Sequence, residues 1–263
     1  MNIDQLLEAI PLWGIYVCSV AMVLLSIQCG IWMGRYRRSR SGQDQDSPLG
    51  AAVGATLGLL AFLLAFTFGM TASRFDARKQ LLLDEVNAIE TTFLRAGLIP
   101  EPHRSQVRVL LAQYADIRAN VGRHPERIPQ FIKESEELHG RLWPHAEALA
   151  EADLKNPDIV SLFVDSLNEM IDLHTERVTV GLYRIPMAIW IALWGVTILS
   201  MVAVGYHFGE SGKGNWHLSL LLALIFSAVI LLIADLDRTG KGAITVSQQP
   251  MINLQEKLKE RVK

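Results

Sequence analysis

Cysteine is almost missing from this chain: 263 residues hold two, Cys18 and Cys29, both inside the first apolar stretch. Neither adjoins a charge that would lower a thiol pKa. Eleven residues apart on a helix, they sit ~16 Å apart along the axis, too far to bond to each other. Thiol catalysis and cysteine-based zinc sites are therefore excluded from the rest of the chain. Ligand spacing is missing as well. His139 and His145 are six residues apart with Pro144 between them, and His103 and His124 stand alone. There is no H-E-x-x-H, no G-x-S-x-G, no P-loop and no strand-linked G-x-G-x-x-G. No enzyme activity and no cofactor are expected. The net charge of −2 gives no support to a nucleic-acid partner.

The most telling absence is of charge. Asp, Glu, Lys and Arg are missing from Ala9–Gly34 (26 residues), Ser47–Ser73 (27), Ile185–Phe208 (24) and Gly214–Ala234 (21). A bilayer core ~30 Å thick takes ~20 helical residues at 1.5 Å each, so every window is long enough to cross. The spans are read as Leu12–Met33, Leu49–Met70, Pro186–Tyr206 and Trp216–Ala234. Five of the six tryptophans lie in or beside them, as the amphipathic indole favours. The first window is read as a retained membrane helix rather than a signal peptide. Residues 1–8 carry Asp4 and Glu8 with no basic residue, and the apolar run is too long.

Between spans two and three lie 111 residues, Arg74–Arg184, with 14 basic and 18 acidic groups. This segment reads as helix. Phe75, Leu82, Val86, Ile89, Phe93 and Ala96 form a heptad-like stripe over Phe75–Ala96. Glu101–Gly122 makes a second helix and Ile128–Ala152 a third, interrupted near Pro144. Asn156 as N-cap and Pro157 at the first helical position start the last one, with the stripe Val160, Phe163 or Val164, Leu167, Ile171, His174 and Val178. His174 is taken as a satisfied packing residue. Span two is expected to continue into Phe75–Ala96, and Asp158–Tyr183 into span three, as two unbroken helices roughly 60–70 Å long.

The predicted architecture is all-α: four transmembrane helices with a helical-bundle insertion between the second and third spans. Residues 1–73 hold spans one and two, 74–184 the bundle, 185–234 spans three and four, and 235–263 a C-terminal tail, with a loop over Gly240–Pro250. The loop Arg35–Arg40 carries four arginines. The positive-inside rule puts it in the cytoplasm and the bundle outside. Anionic headgroups would be attracted to it.

Two features of span two bear on function. Gly50, Gly54 and Gly58 form a G-x-x-x-G-x-x-x-G ladder, which lets helix backbones approach closely, either within the chain or between copies. Phe62 and Phe66 share a face, with Thr67 nearby, and a ring of them in an oligomer would form a constriction that gates by dewetting. Ordinary core or lipid contact is the plainer reading. At the membrane boundary, Asp235, Asp237 and Arg238 face the residues Arg74, Arg78 and Arg184 as ion-pair candidates, and the acids are also cation-ligand candidates.

The stretch from Leu64 through Arg78 resembles the bestrophin anion-channel pattern, in which a pore helix reads Phe-Arg-Thr-Asn and continues into Arg-Trp-Trp-Glu-x-Arg. Phe66 and Arg74 keep that spacing, while Thr67, Phe68 and Gly69 replace Arg-Thr-Asn. The whole chain more closely resembles a bacterial "bestrophin-like" membrane family of unknown function. The likeness is carried by Arg74–Lys79, Glu85–Ala96, Leu98–Pro100, Asp235–Arg238 and Gly242–Pro250. It implies a multi-pass protein of the bacterial inner membrane, a homo-oligomer, an anion as the transported ion, and a bundle in the cytoplasm. That placement is opposite to the charge-based one. The alternative is a non-conducting membrane sensor or interaction protein whose bundle binds a partner.

Overall fold

The structure, a computed structural model, describes residues 11–41, 49–152, 157–212, 214–238 and 242–262. The expected cap Asn156, and Asp4 and Glu8, lie outside them. Among the described residues every regular element is helical. These are α1 (Leu12–Ser41), α2 (Leu49–Arg95), α3 (His103–Asn120), a 3-10 turn at Pro125–Arg127, α4 (Ile128–Glu151), α5 (Pro157–Leu182), α6 (Met187–Ser211), α7 (Trp216–Asp237) and α8 (Gln249–Val262).

The chain divides into two compact units. One holds residues 1–73, 184–238 and 242–244, and the other holds 74–183, 239–241 and 245–263. In the first unit α1, α6, α7 and the first half of α2 are long and apolar enough to cross a membrane. Its core is built from Val23 and Ile27 of α1, Leu60 and Leu64 of α2, Leu193 and Met201 of α6, and Ala223, Ile230 and Ile233 of α7. Two glycine pairs bring α1 and α6 together. A Cβ at Gly205 would fall 2.0 Å from the Ile27 carbonyl oxygen, and one at Gly30 would fall 2.1 Å from that of Val202. Gly34 and Gly209 repeat the arrangement one turn on, at 2.3 and 2.4 Å from the carbonyl oxygens of Tyr206 and Ile31. Without side chains the backbones touch, and packing replaces the hydrophobic effect that lipid cannot supply.

The second unit packs Leu82, Ile89 and Phe93 of α2 against Leu111 and Tyr114 of α3, Leu142 and Leu149 of α4, and Phe163 and Leu167 of α5. The expected stripes face inward, and Phe163 rather than Val164 is the buried alternative. Each such side chain contributes roughly 1.5–3 kcal/mol of transfer free energy. The residues after Gln249 form a helix rather than a tail, and Met251, Leu254 and Leu258 complete this core.

Three further expectations need correction. Arg35–Arg40 is not a loop: α1 runs through it to Ser41. Arginine is a good helix former, and cations suit a helix C-terminus. Pro144 does not interrupt α4. Its ring crowds the carbonyl four residues back, that of Gly140, which is exposed, where a helix carbonyl can tilt outward toward water. Conversely, the second long helix does break. α2 spans 47 residues unbroken, but α5 stops at Leu182 and α6 restarts after Pro186, whose ψ is 137°. Proline lacks the N–H to continue the ladder, and it drives the residue before it out of helical conformation. Both cysteines are free and exposed.

Candidate functional site

In the membrane half of α2 one side is buried: Leu60, Leu64, Thr67 and Thr71, at spacings of four, three and four. Thr67 and Thr71 turn their hydroxyls onto their own helix, Thr67 donating to the Leu63 carbonyl at 2.7 Å. This is how a hydroxyl is satisfied in apolar surroundings. Gly50, Gly54, Gly58, Phe62 and Phe66 follow one another at four-residue intervals and are all exposed, a ridge that winds about 40° round the helix at each step and brings Gly58, Phe62 and Phe66 to the side away from the buried residues. Phe62 is 65% exposed and Phe66 58%. Their rings stack at 6.4 Å and 19°. Thr67 does not share their exposure. Around Gly54 and Gly58 nothing lies within 4 Å of where a Cβ would stand, and Gly50 meets only His207 Cε1 at 4.0 Å. The close helix approach inside the chain is made by Gly30, Gly34, Gly205 and Gly209 instead, which leaves the α2 ladder open.

The boundary acids serve the backbone. Asp235 is buried, and its carboxylate accepts from the Ala243 N–H at 2.9 Å and the Ile244 N–H at 3.1 Å. A Cβ on Gly242 would fall 2.2 Å from Asp235 Oδ1, so the turn needs glycine there. Asp237 Oδ1 accepts from the Ile185 N–H at 3.0 Å, just beyond the α5–α6 break, and Arg184 donates to the Asp237 carbonyl at 2.7 Å. The Arg238 N–H closes the end of α7 onto the Asp235 carbonyl. Arg74 and Arg78 are half-buried. Arg74 Nη1 is shielded from solvent without a hydrogen-bond partner.

The second unit, outside the uncharged windows, contains a polar cluster that reading the sequence missed. Glu85 of α2 is wholly buried. Arg118 of α3 donates to it twice, from Nε at 2.7 Å and Nη2 at 3.2 Å. Arg177 of α5 also donates to Glu85, and at 2.8 Å to Gln248. The Tyr114 hydroxyl donates to Glu85 Oε1 at 2.8 Å. Its one proton is thereby committed, so His174 Nδ1, 3.2 Å away, carries the proton it shares with the tyrosine oxygen. His174 Nε2 is left buried and unpartnered, as is His139 Nε2 on α4, whose ring meets that of His174 edge-on at 4.9 Å. His174 thus lies on the expected apolar stripe but is only half satisfied.

Electrostatics follow from this geometry. Burial alone would raise the Glu85 pKa, but the guanidiniums of Arg118 and Arg177 override it and hold it at about 2. Burial, then the Glu85 charge, pushes Tyr114 well above its ordinary value. Burial, then Arg118, lowers His139 to about 4 and His174 to about 3. One carboxylate against two guanidiniums leaves a net positive charge, and both imidazoles stay neutral beside it. One signal was legible: Glu85 falls three and four residues from Leu82 and Ile89 on the apolar stripe. Its partners come from other helices and were not. Among the described residues no three His, Cys, Asp or Glu side chains converge as a metal site.

None of the curated proteins matches the chain. Its fold is that of a bacterial bestrophin homologue from Klebsiella pneumoniae. One crystal structure of that protein, with a single substitution, aligns at a TM-score of 0.70 and 15% identity over 94% of this chain and 98% of that one. Another, solved by zinc anomalous phasing, aligns at 0.67 and 15% over 94% and 97%. A model of the Bestrophin-like domain matches residues 19–251. With nearly the whole length matched, four helices able to span a bilayer and the bundle between the middle pair, the chain belongs to the bestrophin-like family.

Proposed function

We propose that the chain is the subunit of a homo-oligomeric anion channel of the bacterial inner membrane, with α2 lining the passage. The observation that carries this reading is the uncharged ridge from Gly50 to Phe66, exposed on a helix whose other side is buried. Around a common axis, Gly50, Gly54 and Gly58 permit close approach of neighbouring helices. Phe62 and Phe66 then form an apolar constriction that closes by dewetting. One further feature favours anions: Arg74 is the first charge after span two. The test is reconstitution in liposomes. Purified protein in detergent is expected to have the mass of several subunits and to pass chloride. Phe62→Ala with Phe66→Ala should raise the flux several-fold. A folded monomer, or an oligomer with no flux, defeats the reading.

A second reading, a non-conducting sensor or interaction protein, is favoured by one observation. A groove of about 740 Å³ in the bundle is lined by apolar residues including Val109, Ala112 and Leu138 and by charged ones including Glu137 and Arg141. It predicts an absence of flux together with a bound protein partner.

A further inference from the structure

At the end of α1 the first charges after 26 uncharged residues are Arg35, Arg37, Arg38 and Arg40. Two of the four are engaged: Arg37 donates to the Tyr206 hydroxyl at 2.8 Å, and Arg40 lies 4.5 Å over the Tyr36 ring. The other two, Arg35 and Arg38, are three residues apart and share a helix face. They front a cleft of about 490 Å³ lined also by Ser39, Gly209 and Gly212. Among the described residues neither is paired with a carboxylate. The acid nearest in sequence to the lining is Glu210, which is not part of it.

Glycine makes the cleft. Gly212 ends α6 with φ +65°, a left-handed conformation that glycine adopts without penalty. A Cβ there would fall 1.8 Å from Arg38 Nη1, so the guanidinium occupies space that any other residue would take. A Cβ on Gly209 would strike the Ile31 carbonyl oxygen at 2.4 Å and the Arg35 nitrogen at 3.0 Å. Gly209 and Gly212 flank Glu210, the first charge after the third apolar run, as Arg35 is the first charge after the first run. Both walls therefore lie at the depth of lipid headgroups. Planar guanidiniums with fixed donor forks match phosphate oxygens in pairs.

We propose that the Arg35–Arg38 cleft binds a phosphate-bearing anion, as the headgroup of an anionic phospholipid or as free phosphate. The test uses the purified full-length protein. In mixed micelles of phosphatidylglycerol and phosphatidylcholine, native mass spectrometry is expected to find phosphatidylglycerol retained preferentially. Replacing Arg35→Gln with Arg38→Gln should cut that retention about tenfold to thirtyfold, as two arginines near an anionic surface would. Arg40→Gln should leave it unchanged, and Arg35→Lys with Arg38→Lys should keep most of it. Inorganic phosphate titrated into delipidated protein separates the sources. Binding that depends on the same two arginines identifies free phosphate, and retention of lipid alone identifies a headgroup. The proposal is overturned if the double glutamine variant, melting as wild type does, keeps phosphatidylglycerol equally well. It also fails if wild-type protein neither prefers that lipid nor binds phosphate. Should the double variant not fold, Arg38→Gln alone is expected to show a severalfold loss.

Discussion

Glu85 shows how one residue can hold charge in a core. Its carboxylate is wholly buried yet accepts from two guanidiniums and a phenol. Removing one partner of such a set strands the others. Glu85→Gln, with Arg118 and Arg177 left facing each other, should cost roughly 3–5 kcal/mol, read as the loss in urea-unfolding free energy. Replacing all three with apolar residues of similar volume should cost much less, because no charge is then left buried. The pH dependence has a definite sign. Glu85 is depressed to about 2, so its contribution is present above the ordinary carboxylate range near 4.5 and is lost as pH falls through about 2. His139 and His174, lowered to about 4 and about 3, bind protons more readily when unfolded. Their neutral forms support the fold fully above pH 6.5, and that support drains away as pH falls from 6.5 through about 3. All three shifts act together. Thermal melts should shift downward on acidification from pH 7 to 4, and His139→Asn with His174→Asn should flatten the upper part of that slope.

At the scale of elements, identical residues have different duties. Gly205 and Gly54 are both membrane-helix glycines. A Cβ on Gly205 meets a backbone oxygen at 2.0 Å, whereas one on Gly54 meets nothing within 4 Å. Gly205→Val should therefore force α1 and α6 apart and abolish monodisperse, folded protein in detergent. Gly54→Val should leave the melting of the subunit unchanged and lower the particle mass, if copies meet along α2. Light scattering beside thermal melts separates the two. The G-x-x-x-G spacing is visible at 50, 54 and 58 and again at 30 and 34 and at 205 and 209. Spacing alone does not say which ladder meets which helix, since that depends on the rotation of each helix about its axis. The prolines make the same point. Pro144 sits inside α4 and Pro186 breaks the α5–α6 run.

For the whole molecule, the bilayer is the first constraint. Four uncharged windows demand lipid, and backbone groups in lipid must bond within their own helix. The helical spans follow from those two facts, and the helices of the bundle, outside the uncharged windows, follow from their own apolar stripes. The anion-channel proposal belongs to this scale because it needs more than one copy of the chain. The exposed Phe62 and Phe66 are a lining only when other copies face them. Enlarging the constriction with Phe62→Ala and Phe66→Ala is expected to change flux without changing the melting of the subunit, and a joint loss of both would mark them as structural contacts instead.

Charge-free length and apolar period were enough to determine helix type, the spans and the inward stripes, because those depend on the local chain and its solvent. The stripe residues Leu82, Ile89, Phe93, Phe163 and Leu167 were legible in this way, as was the shared face of Phe62 and Phe66 but not its exposure. Only the tertiary structure decided that Thr67 turns inward, that Asp235 and Asp237 hold backbone amides, and that Gln249–Val262 closes the bundle. It alone joined Glu85 to Arg118, Tyr114 and Arg177, residues 29 to 92 positions away. Such contacts are set by helix rotation and by long-range closure of the chain, and neither leaves a period in the sequence.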